Sequence, residues 1–189
     1  MSQAKVLTDA ELKRVLAVVA NQDWLAARNR LVVMLSFLGG MRAGEIAALK
    51  LHHVVNDDGS GRDRIHLASD ETKGNRGRTV ILGKKLQKEI IRYVETRHLN
   101  RMNAPLIPSQ KGGHFSATTM VMLFRRIYDA AGIKDARSHS GRRSYLTKLT
   151  SKGCSVFVLQ KPAGHRSIQT TQRYVTVNEE QLVAVADMI

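Results

Sequence analysis

Gly164-His165-Arg166-Ser167-Ile168-Gln169-Thr170-Thr171-Gln172-Arg173-Tyr174 reads as a tight turn, a basic patch, a short helix and then one tyrosine. A phenol set among arginines and histidines suggests a group held against an anion. The chain carries 30 Lys and Arg against 16 Asp and Glu, a formal net charge of +14. That excess favours a polyanion as partner, nucleic acid ahead of a membrane surface. The bland alternative is a solvated basic surface. The stretch gains chemical meaning only if the chain upstream supplies the other groups that a phosphoryl transfer needs.

Composition bounds the search. A chain of 189 residues, 43% of them hydrophobic, can bury one real core or two small ones. The single cysteine, Cys154, excludes an internal disulfide and a Cys-rich zinc site, and it fits a reducing cytoplasm. Met1 to Lys5 is short and polar, without the apolar core of a signal peptide. Apolar runs such as Leu31–Leu35 fall far short of the ~20 residues of a bilayer span. A soluble cytoplasmic protein with no membrane partner is expected.

Working upstream, helical periodicity dominates. Thr8-Asp9-Ala10-Glu11 is a capping-box pattern, followed by Leu12, Val15, Leu16 and Val19 at helical spacing. Asp23 is expected to cap a core helix carrying Leu25, Leu31, Val32, Leu35 and Leu38, which Gly39-Gly40 breaks. A third helix follows over Ala43–Leu51. The polar turn Asn56–Gly61 and the basic turn Lys73–Gly77 flank short β candidates at Val54-Val55, Arg64–Leu67 and Arg78–Leu82, a small antiparallel sheet with a basic hairpin tip. Helix returns at Lys84–His98. Asn100–Gly113 is loop, with a short strand candidate at Leu106-Ile107. Ser116 caps a helix whose buried stripe is Met120, Leu123, Phe124, Ile127 and Tyr128, and Gly132 ends it. Further helices are expected at Gly141–Lys152, Ser155–Ala163, Ser167–Tyr174 and from Asn178 to Ile189. The fold class is mainly α with a small antiparallel β-sheet (α+β).

Five groups upstream of Tyr174 stand out, and each is weak alone. Arg42 opens a helix after the glycine break, with Glu45 one turn on. Alone it is an ordinary salt-bridge partner. Lys73 sits at the hairpin tip, where a mobile cation reaches into a site. Alone it is a solvated charge. His139 and Arg142 lie three residues apart and share a face if helical. His165 sits in the opening stretch beside the basic patch. The pair His52-His53 looks like a metal site, but adjacent side chains diverge and no cluster with ligand spacing accompanies them, so both read as structural.

In order, Gly40-Met41-Arg42-Ala43-Gly44-Glu45-Ile46, Thr72-Lys73-Gly74-Asn75-Arg76-Gly77-Arg78, His139-Ser140-Gly141-Arg142 and Gly164-His165 through Tyr174 resemble the tyrosine recombinase (phage integrase) family, in its catalytic domain. The resemblance runs from about Leu7 to Val177. It implies Arg42 as the first active-site arginine, supported by Glu45, Lys73 as the hairpin lysine, His139 and Arg142 as the central pair, His165 as the late histidine and Tyr174 as nucleophile. Gly141 stands where the family commonly carries an apolar residue, and Arg143 where a second histidine is common. With no room for an N-terminal core-binding domain, a short stand-alone member is expected, bacterial or phage-encoded. It would divide into a catalytic domain over 1–177 and a tail helix over 178–189 that docks either on a neighbouring protomer or back on its own core.

The implied activity is cutting and rejoining DNA through a 3′-phosphotyrosyl intermediate, with no cofactor and no metal. The implied partners are double-stranded DNA, a homotetramer on synapsed DNA that is a monomer without it, and an accessory DNA-binding protein. Candidate DNA-facing cations are Lys50, Arg76, Arg78, Lys111, Arg125, Arg126, Arg137, Arg143 and Arg166. Two other readings compete: a DNA-binding regulator that keeps the fold without the chemistry, and strand relaxation of the type IB topoisomerase kind, which shares the chemistry.

Overall fold

A computed structural model describes residues 4–68, 77–155 and 157–159. Helices dominate: α1 (Asp9–Ala20), α2 (Ala26–Gly39), α3 (Ala43–Ala48), α4 (Lys84–Thr96), α5 (Ala117–Ala130) and α6 (Ser140–Ser151). Strands β1 (Arg64–Leu67) and β2 (Arg78–Ile81) pair antiparallel, Arg64 opposite Ile81 and Leu67 opposite Arg78. The helices expected at Ser167–Tyr174 and beyond Asn178 lie outside the described residues, as does most of the one at Ser155–Ala163.

The centre of the molecule is α2. Leu31 to Phe37 are buried without a break, so this helix shows water almost no face, as a helix apolar all round must. α1, α3, α4 and α6 all pack on it, and α5 packs on α3 and α1. Charged groups fix the edges. Arg30 grips Glu89 of α4 through two bonds of 2.8 and 2.5 Å. The Leu7 amide donates to Ser144 Oγ at 2.8 Å, and the Lys148 ammonium bonds Asp9, so the N-terminal segment is tied to α6.

Local signals set most helix starts. Thr8 and Glu11 cap α1 reciprocally, and Ser116 Oγ accepts from the Thr119 amide at the head of α5. Asp23 departs from its expected role. It lies in a 3₁₀ turn, Asp23–Leu25, at φ +46°, and α2 begins three residues later at Ala26 without a side-chain cap. The Val54-Val55 strand reduces to a single bridge, Val55 to Gly61, and the 106–107 strand to one between Lys50 and Pro105. Both segments are too short to build a ladder.

Two glycines set the geometry near the end of α2. Gly40 ends that helix in the left-handed region at φ +59°, and a Cβ there would stand 2.5 Å from Tyr145 Cδ1. Gly141, in the first turn of α6, meets α2 so closely that a Cβ would fall 2.5 Å from Ser36 Oγ and 3.0 Å from Phe37 Cδ2. The glycine lets α6 approach close enough for the next residue, Arg142, to reach the end of α2. Gly141→Ala is therefore expected to overpack this crossing, at a cost of about 1–3 kcal/mol. A urea titration that shows no loss of midpoint would contradict the close approach.

Candidate active site

The break after α2 and the first turn of α3 build the site. Arg42 is the extended residue before α3, and Glu45 lies in that helix's first turn. Glu45 Oε2 accepts from the Arg42 amide at 2.7 Å, and its Oε1 accepts from Arg42 Nη1 at 2.8 Å. The carboxylate thus caps its own helix and holds the arginine that precedes it.

The same carboxylate takes a second guanidinium. Arg78, the first residue of β2, donates from Nε to Glu45 Oε1 at 2.9 Å and from Nη2 to Glu45 Oε2 at 2.6 Å. Four donors therefore meet one carboxylate, enough to occupy its acceptor sites. The Glu45 side chain is only 2% exposed. Burial alone would raise its pKa, but the hydrogen bonds and charges of Arg78 and Arg42 outweigh it, and the group sits below the usual carboxylate range.

Arg142 arrives from α6. It is buried, and its Nη1 donates to the Gly40 carbonyl at 2.6 Å. Arg78 Nη2 reaches that same carbonyl at 3.4 Å. The chain of contacts runs Arg42, Glu45, Arg78, Gly40 carbonyl, Arg142. Two arginines separated by a hundred residues are thereby brought to one place. Among the described residues, three guanidiniums gather around one carboxylate, an excess of positive charge of the kind that a phosphate oxyanion requires. His139 stands at the head of α6 and is exposed, its carbonyl accepting from the Arg143 amide at 2.9 Å. Lys73, His165 and Tyr174 lie outside the described residues.

Among the cations expected to face DNA, Arg78 and Arg143 bond within the protein. Arg78 points inward, its side chain 6% exposed against Glu45. Charge alone could not distinguish a guanidinium turned in from one turned out. Arg143 donates from Nη1 to the Ala4 carbonyl and holds the N-terminal segment. The remaining described cations are spread over the surface. Lys50 is half-buried and gives its amide to His53 Nδ1. Arg125 is exposed beside Asp129 at 3.7 Å. Arg137 is exposed. Lys111 and Arg126 line a cavity of about 820 Å³ between the start of α2 and α5. Arg76 and Arg166 lie outside the described residues. His52 and His53 act structurally, His52 Nδ1 against the Met102 carbonyl at 3.1 Å and His53 on the Lys50 amide.

One neighbour of the site escaped the sequence reading. The Tyr145 ring covers Gly40, and burial pushes its phenol up while the charges of Arg78 and Arg142 pull it down. Its spacing of three from Arg142 on one helix was the available signal.

The model of the phage integrase family matches residues 5–181. The chain is 28% identical over 185 residues to tyrosine recombinase XerA of Pyrococcus horikoshii, covering 96% of this chain and 60% of that protein. It is 30% identical over 191 residues to tyrosine recombinase XerC of Brucella suis biovar 1, covering 98% and 59%. The crystal structure of XerA recombinase superposes with a TM-score of 0.76 at 25% identity, covering 100% of this chain and 66% of that one. The chain therefore spans about three fifths of the length of the curated relatives it matches.

Proposed function

Because the chain belongs to the phage integrase family, we propose that it is a site-specific DNA recombinase that cuts and rejoins DNA through a 3′-phosphotyrosyl bond. The observation that carries this reading is the meeting of Arg42 and Arg142 through Glu45, Arg78 and the Gly40 carbonyl. A phosphodiester resists attack because its anionic oxygens repel the nucleophile. Two arginine forks on the non-bridging oxygens lower that repulsion and stabilise the added charge of the transition state.

In the proposed step, Tyr174 Oη bonds to phosphorus as the O5′ bond breaks. A phenol has a free pKa of about 10 and gives up its proton only with help. His139 is assigned that exchange. Lys73 is assigned the proton for the departing O5′, which would otherwise leave as an alkoxide. His165 is assigned a hydrogen bond to a phosphate oxygen. The new phosphotyrosyl ester conserves the energy of the bond it replaces, so rejoining needs no nucleotide triphosphate. Double-stranded DNA as partner, a homotetramer on synapsed sites, an accessory DNA-binding protein, a cytoplasmic setting and the division into 1–177 and a docking tail at 178–189 belong to the same proposal.

The test is covalent trapping. Nicked duplexes prepared from DNA flanking the gene lose, on cleavage, the short downstream fragment that carries the free 5′-hydroxyl, and so cannot be religated. A protein–DNA adduct that survives denaturant and maps to Tyr174 after proteolysis is the expected result. Salt-sensitive binding without an adduct on any duplex would favour a DNA-binding regulator. Adducts that relax supercoils but never join two duplexes would favour strand relaxation.

A further inference from the structure

Arg78 is not one of the groups assigned to the phosphate, yet its side chain is buried against both sides of the site. Its guanidinium spans both oxygens of Glu45 at 2.9 and 2.6 Å and approaches the Gly40 carbonyl at 3.4 Å. Glu45 holds Arg42 from one side, and Gly40 holds Arg142 from the other. We propose that Arg78 is a positioning residue, a buried fork that fixes Arg42 and Arg142 relative to each other before DNA arrives. The inference rests on the recombinase reading and extends it to a residue outside the reacting set.

The physical case has three parts. First, Arg42 and Arg142 repel each other, and a site that holds both without substrate needs an intervening negative charge. Glu45 supplies it, and a carboxylate buried this deeply is tolerated only when its lone pairs are filled. Arg42 supplies two of the four donors and Arg78 the other two. Second, Arg142 and Arg78 share one carbonyl, whose two lone pairs accept both donors. The Gly40 oxygen lies 2.6 Å from Arg142 and 3.4 Å from Arg78, so one backbone acceptor links the two guanidiniums. Third, Arg78 opens strand β2, five residues after Lys73 in the sequence. Its grip on Glu45 therefore also ties the start of β2 to the head of α3. Lysine could not do the same, because a point charge cannot span two oxygens and a carbonyl at fixed angles.

The experiment uses the nicked duplex on which the wild type forms its adduct, together with a copy carrying an uncharged methylphosphonate at the cleaved position. The copy removes the charge that the arginines meet. Arg78→Gln is expected to slow adduct formation at saturating DNA about 100-fold, the scale of a small misplacement in a preorganised site, while Kd changes less than about twofold. On the methylphosphonate the ratio of wild type to variant is expected to shrink below about tenfold, because arginine placement then matters less. Arg78→Lys keeps the buried charge and is expected to lose about tenfold, so it carries the test if the glutamine variant does not fold. A weakened Kd with a salt slope reduced by about one, and an unchanged saturated rate, would make Arg78 a phosphate contact and overturn the proposal. An equal defect on both duplexes would overturn it too. Absence of any wild-type adduct would instead overturn the recombinase reading, and this inference with it.

Discussion

Arg142→Ala is expected to reduce adduct formation at saturating DNA by about 10³-fold, the upper range for removing one preorganised oxyanion donor. Arg142 is buried at the root of α6, and its reach to Gly40 is made possible by the bare Gly141 backbone against Ser36. That burial makes it a rigid group rather than a searching one, so little reorganisation is needed when charge develops on phosphorus. Binding to DNA should fall only a few-fold, because the many other cations of a chain with net charge +14 carry the non-specific attraction. Arg142→Lys discriminates charge from geometry. It keeps the charge but not the fork, and recovery of less than about a tenth of the lost rate is expected. Full recovery with lysine would mean that the site needs only a positive potential, and the bidentate account of the site would fail. Single-turnover rates at several DNA concentrations separate the two effects.

Local chemistry was legible in this sequence wherever a side chain acts on its own neighbourhood. Thr8 with Glu11, Ser116 with Thr119, and Arg42 with Glu45 are all pairs three apart, and each forms as the spacing implies. The pairing of Arg64–Leu67 with Arg78–Ile81 matches the antiparallel sheet expected from two short β-prone runs, Arg64–Leu67 and Arg78–Leu82, on either side of a basic turn. What the sequence hid depends on contacts between distant segments. Nothing local says that Gly141 meets Ser36, that Arg143 reaches back to Ala4, or that Arg78 spans 33 positions to Glu45. A net positive charge predicts a polyanion partner, but it cannot assign each arginine to solvent or to the interior. Charge thus places Arg78 among the DNA-facing cations, and the structure shows it bonded to the buried carboxylate of Glu45. The Gly40 carbonyl was unreadable for a further reason, since backbone acceptors carry no sequence signature.

Glu45→Gln is expected to produce the largest loss of stability of any single change in the site. Breaking a buried ion pair leaves uncompensated charge and costs about 3–5 kcal/mol, and in this case two guanidiniums lose one partner at once. For a domain of this size about 3 kcal/mol corresponds to a fall in Tm of roughly 6–12 °C. The acid side of the stability curve provides an independent check. The Glu45 pKa is depressed on folding below its ordinary 4.5, so the unfolded chain takes up this proton more readily than the folded one. The contribution is thus complete above about 4.5 and is lost as pH falls through the lower folded value. Asp9, Glu11, Asp58, Asp63 and Glu89 are depressed in the same direction, so both wild type and variant weaken in acid. The difference between them isolates Glu45. Urea midpoints measured from pH 7 to pH 3 should show a constant gap down to about pH 5, then a narrowing one. A gap that stays constant to pH 3 would mean that the carboxylate charge is not what joins the arginines. Because the same charge that stabilises the fold also joins Arg42 to Arg78, Glu45→Gln should slow adduct formation as well at pH 7, where the variant is still folded.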